Sequence, residues 1–215
     1  MNLTEKLERI YEQRRGRLTP DEAEIMARAA KKLFDDGQAE LATNVGDEAP
    51  RFSLPNATDE LVTLSDLLRH GPVVLSFYRG SWCPYCNLEL RALQANIGAF
   101  EARGACLVAI SPQVPDASLS LAEKHGLTFD VLSDVGATVA QDYGLSFDIP
   151  EELAAIYENR GYNLIRTHGG HDRTLVIPAT YVVGQDGRVS WAFVDSDHAK
   201  RADPLEILAA LDALS

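Results

Sequence analysis

Apolar residues recur along this chain with two different periods. Near the start, Leu3, Leu7, Ile10 and Tyr11 fall on one face of a helix. A second helical stretch has a clear beginning: Thr19 can cap it, Pro20 suits its first position and Glu22 completes a capping box. Met26, Ala29, Ala30, Leu33 and Phe34 form its apolar face, and Gly37 can end it. Such a face must be covered, and the pattern leaves two covers open: the chain's own body or a partner. Thr43 to Pro50 reads as a linker. The chain is therefore divided into a helical extension, residues 1–44, and a main domain, residues 45–215.

From Val45 onward, short apolar runs alternate with helical segments. Val73 to Tyr78 is continuous and of strand length, as a strand buried on both faces requires. Cys106 to Ile110 is a second such run, after a helix ending at Gly104, and Phe129 to Leu132 is a short third. Thr180–Val183 and Val189–Val194 flank Gln185-Asp186-Gly187-Arg188, whose Asp-Gly pair marks a hairpin turn. A last helix is expected from Pro204 to about Leu214. The stretch Asp148 to Pro178 breaks the rhythm and reads as an insertion carrying one short helix, Glu151 to Asn159, and a polar loop. Strand–helix alternation followed by a hairpin and a terminal helix predicts an α/β fold, with a central sheet covered by helices on both faces.

Composition narrows the function classes. The 215 residues are 46% hydrophobic and 24% charged, a globular balance. A formal net charge of −12 argues against an electrostatic grip on nucleic acid or on anionic lipid. No apolar run approaches the ~20 residues of a membrane span. The charged, amphipathic start has no signal-peptide core, so a cytoplasmic location is expected. No glycine-rich phosphate loop appears, so no organic cofactor is implied.

Candidate chemistry centres on Phe77-Tyr78-Arg79-Gly80-Ser81-Trp82-Cys83-Pro84-Tyr85-Cys86. A buried strand ends here and a helix begins, with Leu90, Leu93, Ile97 and Phe100 as its core face. Pro84 suits the first helical position, which puts Cys83 at the N-cap and Cys86 in the first turn. Unpaired N–H groups and the positive end of the helix dipole favour a thiolate there. The second sulfur, one turn away, can close a disulfide. A structural zinc site would need four ligands, and His168 and His171 could complete a set. That loop lies far along the chain, and the redox reading is preferred. Cys106, within an apolar strand, reads as an inert core residue, with a resolving role as the lesser alternative. His168 and His171 read as loop residues near the surface, with a place in the active-site rim as the lesser alternative. Arg79 is either a stabiliser of negative charge or a solvated surface residue. Pro178, before a strand, is either an ordinary loop proline or a residue facing the cysteines with its neighbouring backbone open to a substrate, where a cis bond would be a deliberate feature.

Trp82-Cys83-Pro84-Tyr85-Cys86, with Ile177-Pro178-Ala179-Thr180 downstream, resembles the thioredoxin superfamily. The resemblance is closer to its peroxiredoxin branch, the alkyl hydroperoxide reductase/thiol-specific antioxidant family. Gly46-Asp47-Glu48-Ala49-Pro50-Arg51-Phe52-Ser53-Leu54 is similar to that family's opening segment, and Cys86-Asn87-Leu88-Glu89-Leu90 to its C-x-x-E-L pattern. Arg201-Ala202-Asp203-Pro204 is similar to the close of a subgroup bearing C-x-x-C. The resemblance implies a thioredoxin-like fold with a mixed central sheet. It implies a thiol peroxidase with Cys86 as peroxidatic and Cys83 as resolving cysteine. Trp82, Pro84, Tyr85, Pro178 and Arg79 would contact the substrate. The implied partners are a peroxide, a thioredoxin-like reductant and, with the helical arm, a second copy in a homodimer. Two departures stand out. Cys83 takes a slot where peroxiredoxins carry threonine or serine, and the arginine that polarises the peroxide has no counterpart near Pro178. Thioredoxin-like logic favours Cys83 as nucleophile and keeps a thiol–disulfide oxidoreductase as the alternative.

Overall fold

A computed structural model describes residues 2–171 and 173–214. In chain order the elements are α1 (Leu3–Arg15), α2 (Pro20–Asp35), β1 (Ser53–Pro55), β2 (Leu61–Thr63), α3 (Leu64–Leu68), β3 (Val73–Phe77), α4 (Pro84–Ala95), α5 (Ile97–Glu101), β4 (Cys106–Ser111) and α6 (Pro115–His125). There follow β5 (Asp130–Ser133), α7 (Thr138–Asp142), β6 (Ser146–Asp148), α8 (Glu151–Asn159), α9 (Leu164–Thr167), β7 (Thr174–Val176), β8 (Ala179–Val183), β9 (Val189–Val194) and α10 (Pro204–Asp212).

The central sheet has the order β5-β4-β3-β8-β9. Strands β3, β4 and β5 run parallel, while β8 and β9 are antiparallel to their neighbours, so the sheet is mixed. All five residues of β3 are buried, as an unbroken apolar run at the sheet's centre demands. The period of two sends its side chains to opposite faces. Val74 and Val182 join a core with Leu90 and Leu93 of α4, Phe100 of α5 and Ile207 and Leu211 of α10. Val73, Leu75 and Phe77 join Leu64, Tyr143 and Tyr181 on the other face. This is a thioredoxin-like architecture, with helices on both sides of a mixed sheet.

The helical arm lies on the chain's own body. Thr19 and Glu22 form the expected capping box on α2, with Pro20 at its first position. Leu3 and Leu7 of α1 are buried in the α4 side of the core. Ile25, Met26 and Ala29 of α2 pack half-buried against a third cluster of Leu153, Ile156 and Tyr157 on α8. Phe34, assigned above to the apolar face of α2, is instead 71% exposed. The stretch read as a linker is pinned: Gly46 donates to the Val189 carbonyl at 2.8 Å and Val189 to that of Asp47 at 2.9 Å. Asp186-Gly187 makes the hairpin turn between β8 and β9, with Gly187 at φ +80°. The segment from Asp148 to Pro178 holds α8, as expected, and also α9 and β7.

Candidate active site

The β3–α4 junction lies at the C-terminal end of β3. Cys83 is the N-cap of α4, with extended backbone, and Pro84 opens the helix. The turn before it is held tightly. Gln113 Oε1 accepts from both the backbone N–H and the hydroxyl of Ser81, each at 2.7 Å, and Asn87 Nδ2 donates to the Ser81 carbonyl at 2.9 Å. Gly80 sits at φ +144°, and a Cβ there would meet Trp82 Nε1 at 2.4 Å. Only glycine fits both the conformation and the space.

Both cysteines are free thiols, buried and 3 Å apart. They titrate as a pair. Burial opposes charge on Cys83, but hydrogen bonds to the Cys86 side chain and backbone, together with Arg79 and Arg201, bring its thiol down to about 6. Burial, and the hydrogen bond and charge of Cys83, hold Cys86 well above the ordinary thiol range. The pair therefore carries one negative charge near neutral pH. That charge rests on Cys83, and the Cys86 thiol donates to it.

Arg201 reaches the site from the loop before α10. Its Nη2 donates to Cys86 Sγ at 3.0 Å, its Nε to Glu89 Oε2 at 2.5 Å, and its Nη1 to the carbonyls of His198 (2.8 Å) and Lys200 (2.6 Å). Arg201 and Glu89 are both buried. Burial raises the Glu89 carboxyl to about 7 against the pull of Arg201, and Thr180 of β8 also bonds it. Sequence reasoning assigned no role to Arg201, although it quoted the segment that contains it. The only local signal was a buried-helix glutamate, Glu89, one turn beyond Cys86, which needs a cationic partner.

Arg79 is 5% exposed, which overturns the solvated-surface reading. Its guanidinium lies 4.9 Å from the Trp82 ring and 5.5 Å from that of Tyr157, and Nη2 donates to Tyr157 Oη at 2.6 Å. Its Nε has no hydrogen-bond partner among the described residues. Trp82 is further packed by Tyr157 and Tyr162, with ring centroids 5.4 and 5.3 Å away. Arg14 of α1 donates to the Tyr162 hydroxyl. Trp82 Nε1 donates to His168 Nε2 at 3.3 Å. His168 is thus buried beside the site, not near the surface, and burial and Arg79 pull it down to about 4, so its ring is neutral. His171 is exposed. The insertion therefore supplies a roof of aromatic rings over the junction.

A cleft of about 850 Å³ opens above this floor. Arg79, Trp82, Cys83, Pro84 and Tyr85 all line it, with Tyr11 and Arg14 of α1 and His198 opposite. Cys86 lies beneath and does not line it. Pro178 lines a neighbouring cavity of about 590 Å³, together with Arg79 and Tyr157. Its peptide bond, like the others described, is trans. Cys106 corrects the core assignment: it is half-buried and pairs with Val73, at the far end of the sheet from Cys86.

Known proteins bear on this geometry. The model of the AhpC/TSA family matches residues 45–192, more than half of the chain. The chain belongs to the AhpC/TSA family. A putative peroxiredoxin of Mycobacterium tuberculosis is 37% identical over 89 residues, and peroxiredoxin Bcp of Escherichia coli 35% over 89 residues. Each match covers 41% of this AhpC/TSA chain and 56% of the relative, so the chain spans little more than half the length of these relatives. The crystal structure of peroxidoxin BcpB from Mycobacterium tuberculosis superposes with a TM-score of 0.63 at 26% identity, over 80% of this chain and 99% of that one. The matched AhpC/TSA segment contains both cysteines, Arg79, Glu89 and Pro178. Arg201, His198, α1 and α2 lie outside it. No helix among the described residues is long and apolar enough to cross a membrane.

Proposed function

We propose that the protein is a thiol-dependent peroxidase that reduces hydrogen peroxide or organic hydroperoxides through Cys86 and Cys83. The observation that supports it most is the Arg201 guanidinium, bonded to Cys86 Sγ and held by Glu89. It fills the role for which the sequence offered no arginine near Pro178. Cys86 passes its proton to the Cys83 thiolate 3 Å away and, now a thiolate itself, attacks the nearer oxygen of the O–O bond. Arg201 donates to the peroxide as that bond lengthens and negative charge grows on the departing oxygen. Cys86 becomes a sulfenic acid, and the departing hydroxide or alkoxide takes a proton to leave as water or alcohol. Cys83, 3 Å away, then attacks the Cys86 sulfur; the S–S bond forms and the sulfenic oxygen leaves as water. Cys83 is the sulfur that lines the cleft, so a thioredoxin-type dithiol attacks there and regenerates both thiols. A cytoplasmic location and a homodimer belong to the same reading.

Mixing the reduced protein with one equivalent of hydrogen peroxide in a stopped-flow instrument tests it, with Trp82 fluorescence as signal and thiol counting at the end point. A fast change with loss of two thiols is expected. A change no faster than that of a free thiol would sink the proposal. One observation favours a second reading, a thiol–disulfide oxidoreductase: Cys83 both lines the cleft and has the lower pKa. Rapid reduction of a model disulfide by the reduced wild-type protein, with slow peroxide consumption and a trapped mixed disulfide in Cys86→Ser, would select it.

A further inference from the structure

The aromatic roof over the dithiol holds one polar contact that packing alone does not require. His168, the C-cap of α9, is fully buried, and its Nε2 accepts from Trp82 Nε1 at 3.3 Å. The ring is neutral near pH 7, as an acceptor must be, so its proton sits on Nδ1. Nδ1 has no hydrogen-bond partner among the described residues. An unpaired buried N–H is costly, and an apolar side chain would fill this place without that cost. What the histidine alone supplies is an acceptor for the indole. Its backbone is fixed: the His168 N–H donates to the Leu164 carbonyl at 2.8 Å, and the Val114 N–H to that of Thr167 at 2.9 Å. The indole in turn is the surface on which Arg79 rests, with the guanidinium 4.9 Å from the ring.

We propose that His168 is a positioning residue: by accepting the Trp82 indole N–H it holds the ring against which the Arg79 guanidinium lies, and so keeps that cation beside Cys83. Tyr157 and Tyr162 pack the indole with centroids 5.4 and 5.3 Å away, but ring contacts tolerate sliding and turning, whereas a hydrogen bond is directional. Arg79 has no carboxylate to hold it; besides the two ring faces it has the Tyr157 hydroxyl at 2.6 Å. Its seat therefore depends on where Trp82 lies. The charged and titratable groups around Cys83 are Cys86, Arg79 and Arg201, with Tyr85 of α4 and, across the cleft, Arg14 of α1 and His198 of the loop before α10. Of these, Arg79 rests on Trp82. The inference rests on the dithiol reading of the site and holds for peroxide reduction and disulfide exchange alike, since both use the Cys83 thiolate.

The test reads the Cys83 thiol directly and uses no peroxide. Reduced wild type, His168→Leu and His168→Gln are alkylated with iodoacetamide over a series of pH values, and the Cys83 adduct is located by tandem mass spectrometry. Wild type is expected to reach half its limiting rate at a pH of about 6. His168→Leu raises that midpoint by about one pH unit, a roughly tenfold fall in rate below it, because Arg79 shifts away from the sulfur. His168→Gln, whose amide oxygen can accept the indole N–H, restores it. An unchanged midpoint in His168→Leu, whatever its stability to urea, would make His168 a packing residue and overturn the proposal. A His168→Gln midpoint as high as that of His168→Leu would overturn it too. If His168→Leu does not fold, Trp82→Phe deletes the same bond from the other end: a raised midpoint supports the proposal and an unchanged one overturns it. Slow oxidation by every peroxide, with the alkylation shift intact, would remove the peroxidase reading and leave the positioning role standing.

Discussion

Two buried guanidinium groups flank the dithiol, and they are held in opposite ways. Arg201 is paired. A buried carboxylate, two carbonyls and a sulfur take four of its five N–H groups, which leaves one Nη2 N–H open. Arg79 has one hydroxyl, two aromatic faces and a donor with no partner among the described residues. A cation held by four partners is fixed in place and can turn its remaining donor on a bond without reorganising. A cation resting on ring faces keeps its charge largely uncompensated, so it lowers the thiol's pKa and remains free to meet a ligand. On the proposed reading the Arg201 side polarises the peroxide, while both cations hold down the Cys83 thiol, Arg79 ahead of Arg201.

The comparison breaks most visibly at the sulfurs themselves. Cys86→Ser is expected to lose the first oxidation step, falling to the background rate in single-turnover stopped flow. Cys83→Ser keeps that step and stops at the sulfenic acid, which a dimedone adduct in mass spectrometry would reveal. Rapid oxidation in Cys86→Ser would reverse the assignment.

Removing the paired cation comes next. Arg201→Met leaves Glu89 buried without its partner, so a stability loss of about 3–5 kcal/mol is expected by urea unfolding, with a ~100-fold or larger fall in oxidation rate. Arg79→Met sharpens the contrast. An isosteric apolar chain replaces a charge that has no carboxylate, so stability should stay level or rise, while oxidation at pH 7 slows about tenfold. If Arg79→Met unfolded as readily as Arg201→Met, the two sides would not differ as described.

A smaller effect separates the two sides by pH. Wild-type oxidation should climb as pH rises through about 6, where the first thiol proton leaves, and then level off. In Arg79→Met the climb moves toward the ordinary thiol range near ~8.5, because the thiolate loses a stabilising charge. An unchanged profile would show that Arg79 does not act on the sulfurs. The smallest change is expected for Tyr157→Phe, which deletes one hydrogen bond to Arg79 at a cost of about 1 kcal/mol and leaves the ring stack in place.

Much of the fold was legible from near-neighbour pattern alone. The apolar run of β3, the Asp-Gly turn before β9 and the helix of the insertion depend on period and turn chemistry within ten residues. Met26 and Phe34 show the limit of that method. Both fall on one apolar stripe of α2, yet Met26 packs against α8 while Phe34 faces solvent. Periodicity shows that a face can be covered, not how far the cover extends.

By itself the sequence determined that a buried strand runs into a helix begun by Cys83 and Pro84, because a proline, an N-cap and a one-turn spacing are local constraints. Only the tertiary structure decided which charges surround the sulfurs. Arg201 stands 115 positions from Cys86 and His168 stands 86 from Trp82. In sequence they resemble any other arginine and histidine of a polar loop. Their burial, their partners and so their chemistry come from packing between distant segments, where desolvation and pairing act and no local pattern reaches.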